Sequence, residues 1–304
     1  MRIAIITESF PPDVNGVAHC VVRVAENLVR KGHQPLIIAP DSGRGPELDA
    51  GFPFPVERVP SVPLPGYPSF RLGLPSPATR KAIAAHGTEI VHLASPVALG
   101  AWGARVARAE RLPVVAVFQT DLPSYARAYH LGRVAESFTW HWLRDVHNTA
   151  GRTLAPSNMT AADLEDHGIE RIRRWGRGVD TERFQPSRRD EVLRAALAPN
   201  GEVIVGYVGR LAIESGLPVV APASGGPLDL VDDRGTGYLV PPGDPDALSA
   251  AVHKLSEDAA LRARLGAAAR RRVLGRTWSA LTDELLGHYA AVIEADAPPA
   301  RLAA

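Results

Sequence analysis

Cysteine is nearly missing from this sequence: Cys20 stands alone, which excludes an internal disulfide and any cysteine-based metal cluster. Its place among apolar residues at helical spacing makes it a core residue. Lysine is almost as scarce, being confined to Lys31, Lys81 and Lys254 among 34 basic residues. The arginine excess is better read as a coding bias than as a set of phosphate ligands. With a net charge of +1 there is no case for a nucleic-acid partner. No stretch approaches the roughly 18 apolar residues of a membrane span. The apolar run Ile3 to Ile6 is too short for the core of a signal peptide, so a cytoplasmic protein is expected. The ten histidines show no metal-binding spacing, and His141 with Asp145 reads as a surface pair on one helical turn. Without a Gly-x-Ser-x-Gly elbow or a P-loop lysine motif, hydrolase and kinase readings have no anchor.

What is present is an ordinary globular composition, 45% hydrophobic and 22% charged over 304 residues, with room for two domains. Ile3 to Ile6 is a buried strand, followed by a Pro- and Gly-punctuated loop. Val17, Cys20, Val21, Val24 and Leu28 then recur at helical spacing until Gly32 stops the helix. Strands at 35–39, 90–93, 114–118 and 153–155 alternate with helical patterns such as 96–109. This order predicts an α/β domain, a doubly wound parallel sheet. Between Glu57 and Pro77 so many prolines occur (Pro60, Pro63, Pro65, Pro68, Pro75, Pro77) that no regular structure is expected there. Either a packed loop or an acceptor- or membrane-facing loop fits.

The second half is thinner. Val203–Val208 reads as a buried strand and Leu217–Ala221 as the next, joined by Gly209–Gly216, whereas a parallel crossover needs a dozen or more residues. Either the second strand folds back as a hairpin, or whole βα units are absent. A further strand at 237–240 precedes Asp244-Pro245, an N-cap with proline at the first helical position. Ala247, Leu248, Ala251, Val252 and Leu255 mark that helix's buried face. Three strands fall short of a Rossmann-like domain by about 70–90 residues at roughly 30 per βα unit. The arginines 262, 264, 270, 271, 272 and 276 form a basic helical run, either a solvated face or a contact for anionic lipid.

Two strand ends carry the chemistry. Glu8 to Val17 joins the first strand to its helix, where backbone N–H groups and the helix dipole favour a phosphate. Val208-Gly209-Arg210 ends a second-domain strand, where an arginine can clamp a diphosphate. If they face each other across a cleft, they form a nucleotide-sugar site. Asp121 reads either as a sugar-binding carboxylate or as the cap of a helix containing Tyr125 and Tyr129.

The set Phe10-Pro11-Pro12 with Asn15-Gly16-Val17, Gln119-Thr120-Asp121 with Tyr125, Ala155-Pro156-Ser157, Arg177-Gly178-Val179-Asp180 with Phe184, Gly206 to Arg210, and Gly216 to Val220 through Pro241 to Pro245 resembles family-four retaining glycosyltransferases of the GT-B fold. Its nearest likeness is to the GDP-mannose-dependent α-mannosyltransferases. The resemblance implies two Rossmann-like domains, an acceptor-side one at 1–178 and a shortened donor-side one at 179–304 with the C-terminal helices. It also implies transfer of a hexose, mannose from GDP-mannose, to a lipid or glycan acceptor without a metal or other cofactor. Asn15, Gly16, Arg210, Gly225 and Gly226 would contact the donor, and Tyr67, Tyr125 and Arg177 the acceptor. Gln119 and Asp121 would sit at the reacting sugar. Relatives carry histidine at the Gln119 position, and Gln119 cannot act as an acid or base. The lysine that follows Gly-Arg in the family, and its two glutamates eight apart, have no counterpart here; Leu211 stands where the later glutamate would be. An inactive or weakly active transferase is one expectation. The alternative is a non-catalytic glycan- or lipid-binding protein. Location at the inner membrane face is a further option to a purely cytoplasmic one.

Overall fold

The computed structural model describes residues 1–43, 45–64, 67–123, 132–206 and 217–296. The chain divides into two units. Met1–Pro156, Thr160–Gly176 and the chain from Thr282 onward form the first; Ser157–Met159 and Arg177–Leu281 form the second.

In the first unit the chain runs through β1 (Arg2–Ile6), α1 (Gly16–Arg30), β2 (Gln34–Pro40), β3 (Val56–Val59), β4 (Ser61–Leu64), β5 (Tyr67–Gly73) and α2 (Pro77–His86). It continues with β6 (Ile90–Leu93), α3 (Ala98–Ala109), β7 (Val114–Val117), α4 (Gly132–His147), β8 (Arg152–Ala155), α5 (Asn158–Asp166) and β9 (Ile172–Arg174). Seven strands pair in the order β3-β2-β1-β6-β7-β8-β9, every pair parallel. Successive side chains of a strand point to opposite faces. Ala4, Ile6, Ile38, Leu93 and Ala116 therefore pack with Leu99 and Ala104 of α3 on one face, while Ile3 and Ile5, equally buried, serve the other. Continuous apolar strands are what a sheet covered on both faces requires. Cys20 is buried in α1, as its spacing suggested.

The proline-rich segment departs from expectation. β4 and β5 form an antiparallel hairpin with an irregularity between Pro63 and Leu64. A two-stranded ribbon consists only of edges, and edges and bulges are where proline is tolerated, since no second ladder asks for its missing N–H.

The second unit holds α6 (Glu191–Leu197), β10 (Val219–Pro222), α7 (Pro227–Leu230), β11 (Gly237–Val240), α8 (Pro245–Glu257), α9 (Ala259–Val273) and the start of α10 (Trp278–Asp296). β10 and β11 pair in parallel, and Val219, Ala221, Val231, Ala269 and Val273 gather with Val179 into a small core. Asp244 caps α8, its Oδ1 accepting from Ala247 N at 2.9 Å.

Three expectations need correction here. Residues 203–206 form no strand, and Val203, Ile204 and Val205 are exposed. A strand needs a partner, and among the described residues no strand pairs with this segment. Leaving such side chains in water forgoes on the order of 1.5–3 kcal/mol for each full burial. Leu248 is also exposed, so the buried face of α8 narrows to Ala251 and Leu255. Finally, the C-terminal helix does not stay in the second domain: from Thr282 it belongs to the first unit. There Leu285, Tyr289 and Val292 are buried and Lys31 Nζ meets Asp283 at 2.7 Å. His92, on the face of β6 opposite Val91 and Leu93, lies with Nδ1 2.5 Å from Tyr289 Oη.

The basic run is partly structural. Arg262 donates to Leu255 O and Ser256 O, Arg270 to Phe184 O and Thr181 O, and Arg272 to Asp229 O. His141 and Asp145 are an exposed pair at 3.4 Å. Among the described residues no helix is long and apolar enough to cross a membrane.

Candidate functional site

Strand order in the first unit reverses direction between β1 and β6, and ligands of open parallel sheets bind outside the carboxyl ends of strands at such a switch point. Three segments converge there. They are the loop after β1 (Thr7–Asn15), the turn after β6 (Ala94–Val97) and the residues after β7 (Phe118–Leu122). Ala94 N donates to Ile6 O at 2.9 Å, and Gln119 Nε2 donates to Ala94 O at 3.2 Å. The sheet thus brings Asn15, Gly16, Gln119 and Asp121 to one edge.

The loop after β1 is fixed from within. Thr7, Glu8, Ser9 and Phe10 are buried. Asn15 Nδ2 donates to Ser9 Oγ at 2.6 Å and Ser9 Oγ to Asp13 Oδ2 at 3.0 Å. The peptide between Pro11 and Pro12 is cis. Arg58 reaches in from β3: it holds Asp49 with two nitrogens at 2.9 and 2.7 Å, donates to Pro11 O at 2.6 Å, and lies 5.2 Å from the centre of the Phe10 ring. Asn15 is the N-cap of α1, its Oδ1 accepting from Val17 N and Ala18 N, each at 3.0 Å. Two of the N–H groups that an incoming phosphate would use are therefore already engaged.

Glu8 is buried at the same edge, outside the motif residues. Its carboxylate accepts from Gly73 N at 3.0 Å, where β5 ends, and from Leu99 N in the first turn of α3. Burial pushes the carboxyl up to about 7, against the opposing pull of backbone donors at Gly73, Leu99, Gly100 and Ala98. A helix N-terminus attracts anions, and here the protein supplies its own, so a ligand phosphate at α3 would have to displace Glu8. No local pattern in the sequence marks this role, because the partners of Glu8 lie 65 and 91 positions away.

In the second unit, the Arg177–Asp180 segment meets the chain that leads into α10. Val179 N donates to Arg276 O at 2.8 Å. Gly178 lies so close to Trp278 that an added Cβ would stand 2.5 Å from its ring, which explains the glycine. Arg177 is half-buried. Gly225 and Gly226 follow β10, Gly225 with φ +62, a conformation that favours glycine. Asn158 N and Nδ2 hold the two carboxylate oxygens of Asp229 at 2.7 and 2.8 Å. Tyr67 opens β5, and nothing is described of its side chain; Tyr125 and Arg210 lie outside the described residues, as does most of the helix that Asp121 was expected to cap. Among the described residues no group of three or more His, Cys, Asp or Glu side chains is placed to hold a metal ion.

Comparison with known proteins gives these edges their class. The solved structure of Anabaena Alr3699/HepE in complex with UDP-glucose matches with a TM-score of 0.72 at 17% identity, covering 96% of this chain and 100% of that one, and the fold is GT-B. The family model described as Glycosyltransferase Family 4 matches residues 14–183, and that of Glycosyl transferases group 1 matches 211–272. Relatives include the GDP-mannose-dependent alpha-mannosyltransferases of Mycobacterium tuberculosis, 38% identical over 96% of this chain and 97% of that protein, and of Mycolicibacterium smegmatis, 40% identical over 96% and 98%. The chain belongs to the family-four glycosyltransferases.

The alignment to the M. tuberculosis relative runs over 376 positions and takes in 96% of this chain's 304 residues, about 292; 376 less about 292 leaves about 84 positions that face no residue of this chain. That size matches the shortfall expected from the missing βα units.

Proposed function

We propose that this glycosyltransferase takes GDP-mannose as donor and transfers mannose with retention to a glycan or lipid acceptor, at a rate held down by its shortened donor-side unit. The observation that carries the donor assignment is the 38–40% identity to GDP-mannose-dependent enzymes over nearly their whole length. In the retaining reaction the acceptor hydroxyl attacks the anomeric carbon on the face the diphosphate leaves. Its proton passes to the departing phosphate oxygen, and GDP is released. The protein's task is to stabilise charge growing on that diphosphate. Backbone at Gly16 and the guanidinium of Arg210 serve this role, with Asn15 shaping the loop and Gly225-Gly226 admitting the donor close to the backbone. Asp121 faces the positively charged sugar centre, and Gln119 hydrogen-bonds a sugar hydroxyl. Tyr67, Tyr125 and Arg177 serve the acceptor. Arginine and backbone N–H groups make a metal unnecessary. With a lipid acceptor the reaction lies at the inner membrane face, where the exposed Arg264 and Arg271 of α9 meet anionic headgroups.

GDP release from GDP-mannose, measured with a candidate glycolipid acceptor, tests this. A variant carrying a family-like insert after Ala212, with its lysine and glutamates, should turn over about three orders of magnitude faster, equivalent to about 4 kcal/mol of transition-state stabilisation. EDTA should change neither rate. Use of another sugar nucleotide in place of GDP-mannose would overturn the donor; equal rates for the two chains would overturn the role given to the missing segment. A second reading is favoured by the complete seven-stranded sheet of the first unit, which can hold an acceptor without turnover. It predicts calorimetric acceptor binding without GDP-mannose and no GDP release from either chain.

A further inference from the structure

Glu8 fastens together segments that are far apart in the sequence. Its carboxylate accepts from Gly73 N at the end of β5 and from Leu99 N in the first turn of α3. That turn has no cap of its own, since Val97 at the N-cap makes no side-chain hydrogen bond. Gly73 and Leu99 meet so closely that a Cβ on Gly73 would stand 2.9 Å from Leu99 Cδ2. One residue beyond Glu8, Ser9 Oγ accepts from Asn15 Nδ2 at 2.6 Å. The base of the β4–β5 hairpin and the loop that carries Asn15 and Gly16 are therefore held by neighbouring residues. A second fastening holds the same base to the end of β2, where Ser61 Oγ and Arg71 Nε donate to Asp41 O at 2.6 and 2.8 Å.

Among the described residues no charged side chain pairs with Glu8. On its own loop Asp13 is engaged with Ser9, and on β5 Arg71 is engaged with Asp41 O and Ser61. The turn after β6 (94–97) is uncharged, and α3 carries no charge before Arg105. The carboxylate thus faces backbone N–H groups. Protonation would turn an O–H toward those donors and release at least one of them. Burial pushes this carboxyl up to about 7, so ionised Glu8 weakens the fold at neutral pH. A charge that weakens the fold while joining two segments of the site is placed for the site.

We infer that Glu8 is a positioning residue for the acceptor: its carboxylate holds the β4–β5 hairpin, whose second strand opens with Tyr67, at a fixed place beside the loop of Asn15 and Gly16. This rests on the acceptor role proposed above for Tyr67.

The test uses the full chain and octyl α-mannoside, a probe with a hexose, an alkyl chain and no titratable group. With a midpoint of about 7, roughly nine-tenths of Glu8 is ionised at pH 8 and one-tenth at pH 6, so calorimetric binding should weaken about tenfold between them. In Glu8→Gln, which keeps the reach and removes the charge, binding should be weak at both pH values and independent of pH. Amide hydrogen exchange across 61–73 should quicken in that variant while β8 is unchanged. Gly73→Ala keeps the carboxylate but pushes β5 off Leu99; it should bind at pH 8 about as weakly as the parent at pH 6. The parent's own pH series needs no variant to fold. Binding that is absent, or equal at pH 6 and 8, would overturn the inference. So would faster exchange in Glu8→Gln confined to the first turn of α3, the result expected of a cap alone. Neither measurement involves GDP-mannose, so failure of the donor assignment leaves both readable.

Discussion

Seven parallel strands carry the first unit, while the described part of the second has two. In the first, β1 is flanked on both sides and helices cover both faces, so Ile3, Ala4, Ile5 and Ile6 are all fully buried. In the second, the same kind of apolar run at 203–205 lies in solvent. The residues are equally suited to strand; the neighbours differ. β-Propensity describes fit to a pleated, half-buried surface and supplies nothing where that surface is missing. Two strands lie at the lower limit of what holds together in water without helices packed over them, and α8 and α9 provide that cover here.

The difference is sharpest under acid. Burial holds His92 at about 3 and His147 at about 4, both in the first unit. Once unfolded they protonate near 6.5, so their stabilisation is present above that pH and is lost as pH falls toward the folded values, at about 1.4 kcal/mol per unit and site. Glu8 acts in the opposite sense. Raised from 4.5 to about 7, it favours the fold below 4.5 and withdraws about 3 kcal/mol as pH rises through 7. Urea unfolding between pH 7 and 4 should show the first unit losing several kcal/mol. Fluorescence of Trp102, Trp140, Trp142 and Trp175 reports that unit, and Trp278 the second. In Glu8→Gln the decline should be steeper, because the offsetting group is gone; a shallower decline would contradict the burial of Glu8. The second unit should respond little, since among its described groups only exposed Glu202 has a shifted pKa, lowered chiefly by a hydrogen bond from its own backbone.

A smaller effect separates the units by packing. Tyr289→Phe keeps the ring but strips His92 Nδ1 of its buried partner, a loss of about 1–3 kcal/mol that should appear as a lower first-unit transition in calorimetry. Leu217→Ser, at an exposed position, should change stability by no more than about 0.5 kcal/mol. A reversal of that order would mean that the second unit is the better packed.

Much of the first unit was legible because helical and strand periods were unbroken: β6 was placed residue for residue, and α1 by its apolar face and Gly32. The β4–β5 hairpin is hidden because proline breaks a strand inside a sheet but is tolerated in a ribbon of two edges, and nothing local in the sequence tells the two apart. α10 was assigned to the wrong unit because an apolar face shows that a helix packs, not against what. The motifs place Asn15, Gly16, Gln119 and Asp121 in loops at the carboxyl edge of the sheet, but Glu8 and Arg58, which hold the loop through contacts 91 and 47 positions away, leave no local pattern.

The two helix caps compare like with like. Asn15 caps α1 in the first unit and Asp244 caps α8 in the second, and replacing either with alanine should cost about 1 kcal/mol. Hydrogen exchange should show Asn15→Ala loosening only the first turn of α1. Asp244→Ala, in a unit with less to spare, should raise exchange through α8 and into β10. Equal spread in both would show the units to be equally cooperative.

Because α10 crosses into the first unit at Thr282, residues 177–281 form one long excursion between two parts of the first unit. Seen from that sheet, the second unit is a loop, and the entropy of closing a loop varies only with the logarithm of its length. Losing about 84 positions from such an excursion is less than one halving and shifts the closure term by under about 0.6 kcal/mol. The first unit is therefore thermodynamically indifferent to a loss that removes strands from the second. A chain can shed part of one folding unit in this way while the sheet that brackets it closes as before.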